Sequence, residues 1–378
     1  MSGNLQKESK PFVLNTIEEA IHDIKAGKVV IVVDDEDREN EGDFICAAEC
    51  ITPEIINFMA KNGCGLICTP IEEHRAKELK LDKMVSSNTA LHETAFTVSI
   101  DLIGKGCTTG ISAYDRATGI KAIVDPDTKA EDFARPGHIF PLVAKAGGVL
   151  RRTGHTEAAI DLARLAGFFP AGVLVEILDD DGSAARLPKL MEVAKKFDLK
   201  IIAIKDLIAY RMRTERLIQK EYQDTLQTRY GDFDLIAYRQ LTTGDVHIAL
   251  KKGKWLPNDP VLTRVHSAQG TGEIIDSLLK GHQPLRKSLE IIQKEGKGII
   301  LFMRHGENKD ALLNKLKELI QKDKNKPTPK IEEQRDFGVG AQILHDLQVT
   351  RLRLLMVNPK RRVALTGYGL EIVERIQL

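Results

Sequence analysis

Val29-Val30-Ile31-Val32-Val33 runs without interruption into Asp34-Asp35-Glu36-Asp37-Arg38-Glu39-Asn40-Glu41-Gly42-Asp43, a decapeptide with seven carboxylates. β-branched residues in an unbroken apolar run read as a strand buried on both faces, so the chain must supply layers above and below it. Thr16 to Ala26, just upstream, has helical spacing with Glu18 and Glu19 near its start. Thr52-Pro53 followed by Glu54 to Lys61 reads as a capped helix with proline at its first position. Further on, Val173 to Leu178 and Leu199 to Ile204 are apolar runs of strand length around a helical Leu187 to Phe197, and Ala158 to Ala166 is a helix ended by Gly167. The pattern predicts a mixed α/β (α+β) protein.

With 378 residues the chain is long enough for two domains, each with its own core. Asp206 to about Gln219 reads as a last helix of the first. The polar stretch that follows places a linker at 213–224 between domains 1–212 and 225–378, each expected to be a mixed sheet packed with helices. In the second, Asp234 to Tyr238, Val246 to Leu250 and Val261 to Val265 read as strands, with longer helices after them and the Lys-rich Gln321 to Lys330 as a loop.

The net charge of +1 hides a division. Residues 1–210 hold 25 Lys+Arg against 33 Asp+Glu, and residues 211–378 hold 30 against 21. Such a split speaks to docking or an anionic ligand rather than to fold, and nucleic-acid binding is not expected from it. No apolar stretch approaches membrane-spanning length, and the N-terminus lacks a secretory signal pattern. The expectation is a cytoplasmic protein, without a membrane partner, whose thiols are reduced. All five cysteines (46, 50, 64, 68 and 107) fall in the first third, in spacings that match neither a redox pair nor a zinc ribbon. Any thiolate zinc site in the second half is therefore excluded.

Seven carboxylates at the end of a buried strand offer hard oxygen ligands suited to Mg²⁺ or Mn²⁺. A calcium loop fails on the pattern: counted from Asp35, the required glycine is Asn40 and the closing glutamate is Cys46. Arg151-Arg152-Thr153-Gly154-His155-Thr156-Glu157 precedes the helix at Ala158. With Thr156 as N-cap, a glycine, exposed amides and Arg152 form a ready phosphate site, while His155 can share a metal with carboxylates. His138 lies in a proline-bracketed loop, Arg135 to Pro141. Glu176 interrupts an apolar strand and faces either water or a cavity; burial there would raise its pKa and suit it to carry protons. Thr108-Thr109-Gly110-Ile111-Ser112 serves a phosphate or only a turn. Together these describe a divalent-metal enzyme acting on a small phosphorylated metabolite.

DDEDRENEGD (Asp34 to Asp43), TTGISAYDRATGI (Thr108 to Ile120), RPGHIFPL (Arg135 to Leu142) and GHTEAAIDLARLAG (Gly154 to Gly167) closely resemble 3,4-dihydroxy-2-butanone-4-phosphate synthases of riboflavin biosynthesis, over about residues 12–212. The resemblance implies conversion of D-ribulose 5-phosphate into formate and L-3,4-dihydroxy-2-butanone 4-phosphate, with two Mg²⁺ or Mn²⁺ ions per site. It implies a homodimer with active sites at the subunit interface. Carried over, Glu39 and His155 hold the metals, Arg38 and Asp43 contact the substrate with Asp43 moving protons, and Arg152, Thr153, Gly154, His155 and Thr156 hold the phosphate. His138, reaching from the neighbouring subunit, and Glu176 are essential to catalysis. Thr109, Cys68 and Asp34 line the site.

From about Thr225 the chain resembles GTP cyclohydrolase II, in TRYGDFDLIAYR (Thr228 to Arg239), LTRVHS (Leu262 to Ser267) and RDFGVGAQIL (Arg335 to Leu344). That family binds zinc through three cysteines. The matching positions here are Gln269, Lys280 and His282; its guanine-nucleotide segment is Arg304 to Asp310, its tyrosine is Leu319, and its arginine survives as Arg335. No zinc is expected, and the second half is expected to have a structural or regulatory role. The alternatives are a bifunctional enzyme that also hydrolyses GTP and a nucleotide-binding or nucleic-acid-binding module.

Overall fold

The computed structural model describes residues 12–35, 38–90, 94–268, 283–304, 337–357 and 365–378. The chain divides into two compact units, Met1–Tyr210 and Arg211–Leu378.

The first unit contains α1 (Ile17–Lys25), β1 (Val30–Val33), β2 (Gly42–Ala47), α2 (Pro53–Asn62), β3 (Cys68–Ile71), α3 (Glu73–Glu78), β4 (Ile100–Leu102), α4 (Ala113–Val124), β5 (Phe133–Val143), α5 (His155–Leu165), β6 (Gly172–Glu176), α6 (Leu187–Phe197), β7 (Ile201–Ala203) and the start of α7 (Ile204–Thr214). Its sheet runs β4-β5-β3-β6-β2-β1-β7 and is mixed: β1 is antiparallel to β2 and parallel to β7, and β6 is antiparallel to β2 and β3. Every residue of β1 and β2 is buried, as the unbroken apolar run requires. Ile31, Val33, Phe44 and Cys46 join one core with Ile56, Met59 and Ile120 from α2 and α4. Full burial of an Ile or Phe side chain contributes roughly 1.5–3 kcal/mol, so this central pair of strands is a firm base for the turn between them.

Local signals set the helix starts. Thr16 and Glu19 form a reciprocal capping box on α1, and the Thr52 hydroxyl caps α2 ahead of Pro53. At α5 the expectation fails. The N-cap is Gly154, in extended backbone and without a side-chain cap, while Thr156 lies inside the first turn and is buried. A threonine is a favourable cap only where the chain is still extended, and here the helix has already begun. His138 is also misplaced by the sequence, because Arg135 to Pro141 belongs to strand β5 rather than to a loop. Pro136 is tolerated because it falls where the pairing of β5 with β4 is irregular.

The second unit contains β8 (Ile218–Thr228), β9 (Gly231–Gln240), β10 (Val246–Lys252), β11 (Pro260–Ala268), α8 (Gln283–Glu295), β12 (Gly298–Arg304), α9 (Phe337–Asp346), β13 (Arg351–Met356) and β14 (Glu371–Gln377). Its mixed sheet runs β14-β13-β11-β12-β10-β9-β8. Residues expected at 213–224 as a polar linker are largely structured: α7 ends at Thr214, and β8 pairs antiparallel with β9 from Ile218 onward. β8 is the sheet's edge strand and exposed along most of its length, so it carries polar residues on both faces and reads as a connector. Gln269, Lys280, His282, Leu319, Arg335, the segment 305–310 and the expected loop 321–330 lie outside the described residues.

Candidate active site

The acidic run forms the connection between β1 and β2, which pair from Val33 and Gly42 back to Val30 and Ile45. It is a hairpin turn, not the strand-to-helix crossover that an open α/β sheet would place there. Its geometry is held from inside by Asp34, which is buried. Asp34 Oδ1 accepts the Glu41 amide at 2.9 Å, Oδ2 accepts the Glu39 amide at 3.2 Å, and Oδ2 takes an Arg38 Nη1 hydrogen bond at 2.7 Å. Arg38 also forks onto Glu39, at 2.9 and 3.1 Å. One guanidinium thus offsets two of the packed carboxylates. From outside the turn, Arg186 donates to the Glu39 carbonyl at 2.8 Å and to the Asn40 carbonyl.

His155, at the first position of α5, enters this turn from the other end of the domain sequence. Its Nε2 lies 3.2 Å from the Val32 carbonyl oxygen, so the ring is directed by β1. Its Nδ1 lies 4.0 Å from Glu39 Oε2 and 3.9 Å from Asp43 Oδ2. Asp34, Glu39 and His155 each present a ligand atom within 4.8 Å of the others. Burial holds the imidazole toward its neutral form, against the opposing pull of Asp34 and Glu39. Neutral imidazole is the form that ligates metal.

Asp43 is the most desolvated acid of the group. Burial, then the charge of Glu176 opposite it in the β2–β6 register, raises its carboxyl well above the usual range. Its Oδ1 is buried and without a hydrogen-bond partner, which a metal ion, its water or a substrate hydroxyl fits. Glu176 closes β6 half-buried and accepts the Leu66 amide at 2.9 Å. A side chain at Gly65 would collide with its carboxylate. Cys68, buried on β3, has its thiol pKa raised by burial and by Glu176 and Asp43. Inert and protonated, it contributes packing rather than a nucleophile.

Arg152 lies beside the start of α5, where an anion site was expected. Gly154 is buried, Thr153 half-buried, and the guanidinium of Arg152 lies over the Gly154 Cα, where a side chain would meet Arg152 Nη1 and Glu157 Oε2. The first turn of α5 has no side-chain cap. A phosphate there would meet a positive helix end.

His138 and Thr109 stand apart from the acidic turn. β5 is separated from β2 in the sheet by β3 and β6. The half-exposed His138 ring is held by Asp101 of β4, which accepts the His138 amide at 2.8 Å and lies 2.7 Å from Nδ1. Thr109 is exposed beside this pair, since the Gly110 Cβ position is filled by the Asp101 carboxylate. Of the hydroxyls around it, Thr108 and Ser112 serve Asp115 and the α4 cap. Asp34, expected only to line the site, presents an oxygen among the clustered ligand atoms, while Asp101 and Arg186 were not singled out from the sequence at all. No local signal marks those two, because each acts through a contact distant in sequence.

Residues 18–210 match the family model of 3,4-dihydroxy-2-butanone 4-phosphate synthase, and residues 219–377 that of GTP cyclohydrolase II. A riboflavin biosynthesis protein RibBA of Cytophaga hutchinsonii is 59% identical, with 97% of this chain and 92% of that protein covered. The RibBA of Aquifex aeolicus is 51% identical, covering 98% and 94%. Among solved structures, RibBX of A. baumannii, described as a two-domain 3,4-dihydroxy-2-butanone 4-phosphate synthase, is 40% identical with a TM-score of 0.67 over 96% of this chain and all of that one. A synthase in complex with two magnesium ions is 42% identical, with a TM-score of 0.50 over 53% of this chain and 98% of that one. With the acidic turn, the imidazole and an arginine beside a helix start in one domain, and the RibBA proteins and RibBX matching nearly the whole chain, the chain belongs to the 3,4-dihydroxy-2-butanone 4-phosphate synthase family, its synthase domain followed by a domain of the GTP cyclohydrolase II family.

Proposed function

We propose that the first domain converts D-ribulose 5-phosphate into L-3,4-dihydroxy-2-butanone 4-phosphate and formate, as a lyase that depends on Mg²⁺ or Mn²⁺, with two ions per site. The observation that carries this reading is that His155 Nδ1 lies 4.0 Å from Glu39 Oε2 and 3.9 Å from Asp43 Oδ2. Glu39 and His155 would hold the metal, with Asp34 shaping the turn. Bound there, a divalent ion polarises substrate oxygens and so acidifies the neighbouring C–H. The chain's own groups do the rest. Arg38 and Asp43 contact the sugar chain. Asp43, whose raised affinity for protons suits it to take and return them, serves enediol formation. Loss of water, skeletal shift, return of one water and release of C4 as formate follow. Arg152 to Thr156 anchor the phosphate and hold the other end of the substrate still.

The separation of His138 from the acidic turn within one sheet supports a homodimer in which His138, held by Asp101, completes the neighbouring subunit's site. Glu176 acts beside Asp43. The membrane has no part in this reading: no described helix is long and apolar enough to cross one. A soluble metabolite and a biosynthetic family suit the cytoplasm.

The second domain does not open GTP and serves assembly or regulation of the first. Gln269, Lys280 and His282 supply no thiolate, and no cysteine follows Cys107, so the zinc-activated water of a cyclohydrolase has no ligand set. The experiment is formate release by the purified chain from ribulose 5-phosphate and from GTP, each with Mg²⁺ and then Zn²⁺. Mg²⁺-dependent formate from the pentose alone is expected. No formate from the pentose would remove the first assignment, and zinc-dependent formate from GTP would remove the second.

A further inference from the structure

Helix α5 carries two carboxylates one turn apart that the reading above does not use. Glu157 is 1% exposed and Asp161 is 2%. Their spacing puts both on one helix face, and both reach back to the segment that leads into the helix. Glu157 Oε1 accepts the Lys145 amide at 3.0 Å, and Oε2 takes a hydrogen bond from Arg152 Nη1 at 2.7 Å. Asp161 Oδ2 accepts the Val149 amide at 2.8 Å. The run from Lys145 to Arg152 is thus pinned at both ends and near its middle by a single rigid face.

Two glycines, one in this run and one just beyond it, face the same two carboxylates. At Gly148, with φ +62°, a Cβ would collide with the Asp161 carboxylate; at Gly154 it would meet Arg152 and Glu157 together. A buried ionised carboxylate is costly unless its oxygens are bonded, and both oxygens of Glu157 are. Its negative charge by itself weakens the pull of Arg152 on an anion. What it supplies is orientation: a long, rotamer-rich side chain is fixed over the start of α5 before any ligand arrives.

We propose that Glu157 is a positioning residue for the substrate's phosphate, tying Arg152 and Lys145 together so that the guanidinium waits at the helix start. This deepens the reading of Arg152 to Thr156 as the phosphate cradle and rests on it. Glu157→Gln replaces one acceptor with a donor, so the side chain cannot serve both N–H groups.

The test uses the full chain with its divalent ion and inorganic phosphate as competing inhibitor. Glu157→Gln is expected to raise KM and the inhibition constant of phosphate about tenfold, with kcat within about threefold of the parent. Because Glu157 acts through Arg152, the double variant Glu157→Gln/Arg152→Ala should inhibit no more weakly with phosphate than Arg152→Ala alone. Additive losses, or unchanged phosphate inhibition in Glu157→Gln, would overturn the proposal. If Glu157→Gln does not fold, Glu157→Asp, which keeps both oxygens on a shorter arm, is put through the same cycle with the same criterion. Phosphate inhibition untouched by Arg152→Ala would instead overturn the cradle reading, and this proposal with it.

Discussion

Asp43 and Glu176 stand directly opposite each other on β2 and β6, and after burial itself Glu176 is the strongest influence holding a proton on Asp43. Two carboxylates in one desolvated place are a stability cost retained for chemistry. Asp43→Asn removes an ionisable group whose charged form burial and Glu176 both disfavour, and is expected to stabilise the metal-free first domain by about 1 kcal/mol while abolishing turnover of ribulose 5-phosphate. Thermal unfolding in a chelator, beside formate release, checks both. A variant that is both less stable and fully active would show that Asp43 is only structural.

Glu39→Ala and His155→Ala each take one ligand from the cluster. Turnover should fall about a thousandfold or more, with the fold intact. Mn²⁺ titration followed by electron paramagnetic resonance should show weakened binding in both variants. Near-parental activity in either would dismantle the metal assignment.

Asp101→Asn keeps the size of the group that holds His138 but turns one acceptor into a donor. The imidazole loses its fixed tautomer, and kcat should fall about a hundredfold with little change in KM. Steady-state kinetics decide it; a pure KM effect would assign Asp101 to binding instead.

The α1 capping box gives a pH prediction far from the site. Glu19 accepts from the Thr16 amide and pairs with Lys200, and its carboxyl is lowered from 4.5 to about 2, first by the Thr16 hydrogen bond and then by Lys200. A depressed acid contributes stability above its unfolded value, and that contribution is lost as pH falls from 4.5 toward about 2. Urea unfolding should show a smaller loss between pH 7 and pH 3 in Glu19→Gln than in the parent. Thr16→Ala should cost about 1 kcal/mol at pH 7 with turnover unchanged. Equal acid sensitivity in Glu19→Gln would remove the linkage.

Much of the chemistry was readable because it sits on contiguous residues. The strand Val30–Val33, the acid-rich turn and the run Arg152 to Thr156 are local patterns, and local patterns state which groups are present and which ligands suit them. The family match of residues 18–210 spans all three runs. Where the reading slipped, a local rule met a longer-range one. Thr156 has the chemistry of a cap, but the helix starts at His155; Pro136 and Pro141 signal a loop, but β4 and β3 draw their segment into a sheet. The polar β8 reads as a linker because this edge strand is exposed along most of its length.

What the fold alone decided is which groups meet. His155 reaches Glu39 because α5 directs its first residue at the Val32 carbonyl, and Asp43 faces Glu176 because β2 and β6 pair in one register and not the next. Asp101 holds His138, and Glu157 holds Lys145 and Arg152, through contacts set by strand pairing and helix placement. Side-chain identity is local information, whereas sheet order and register follow from burying a whole core at once, and a one-residue slip would turn each of these strand residues to the opposite face.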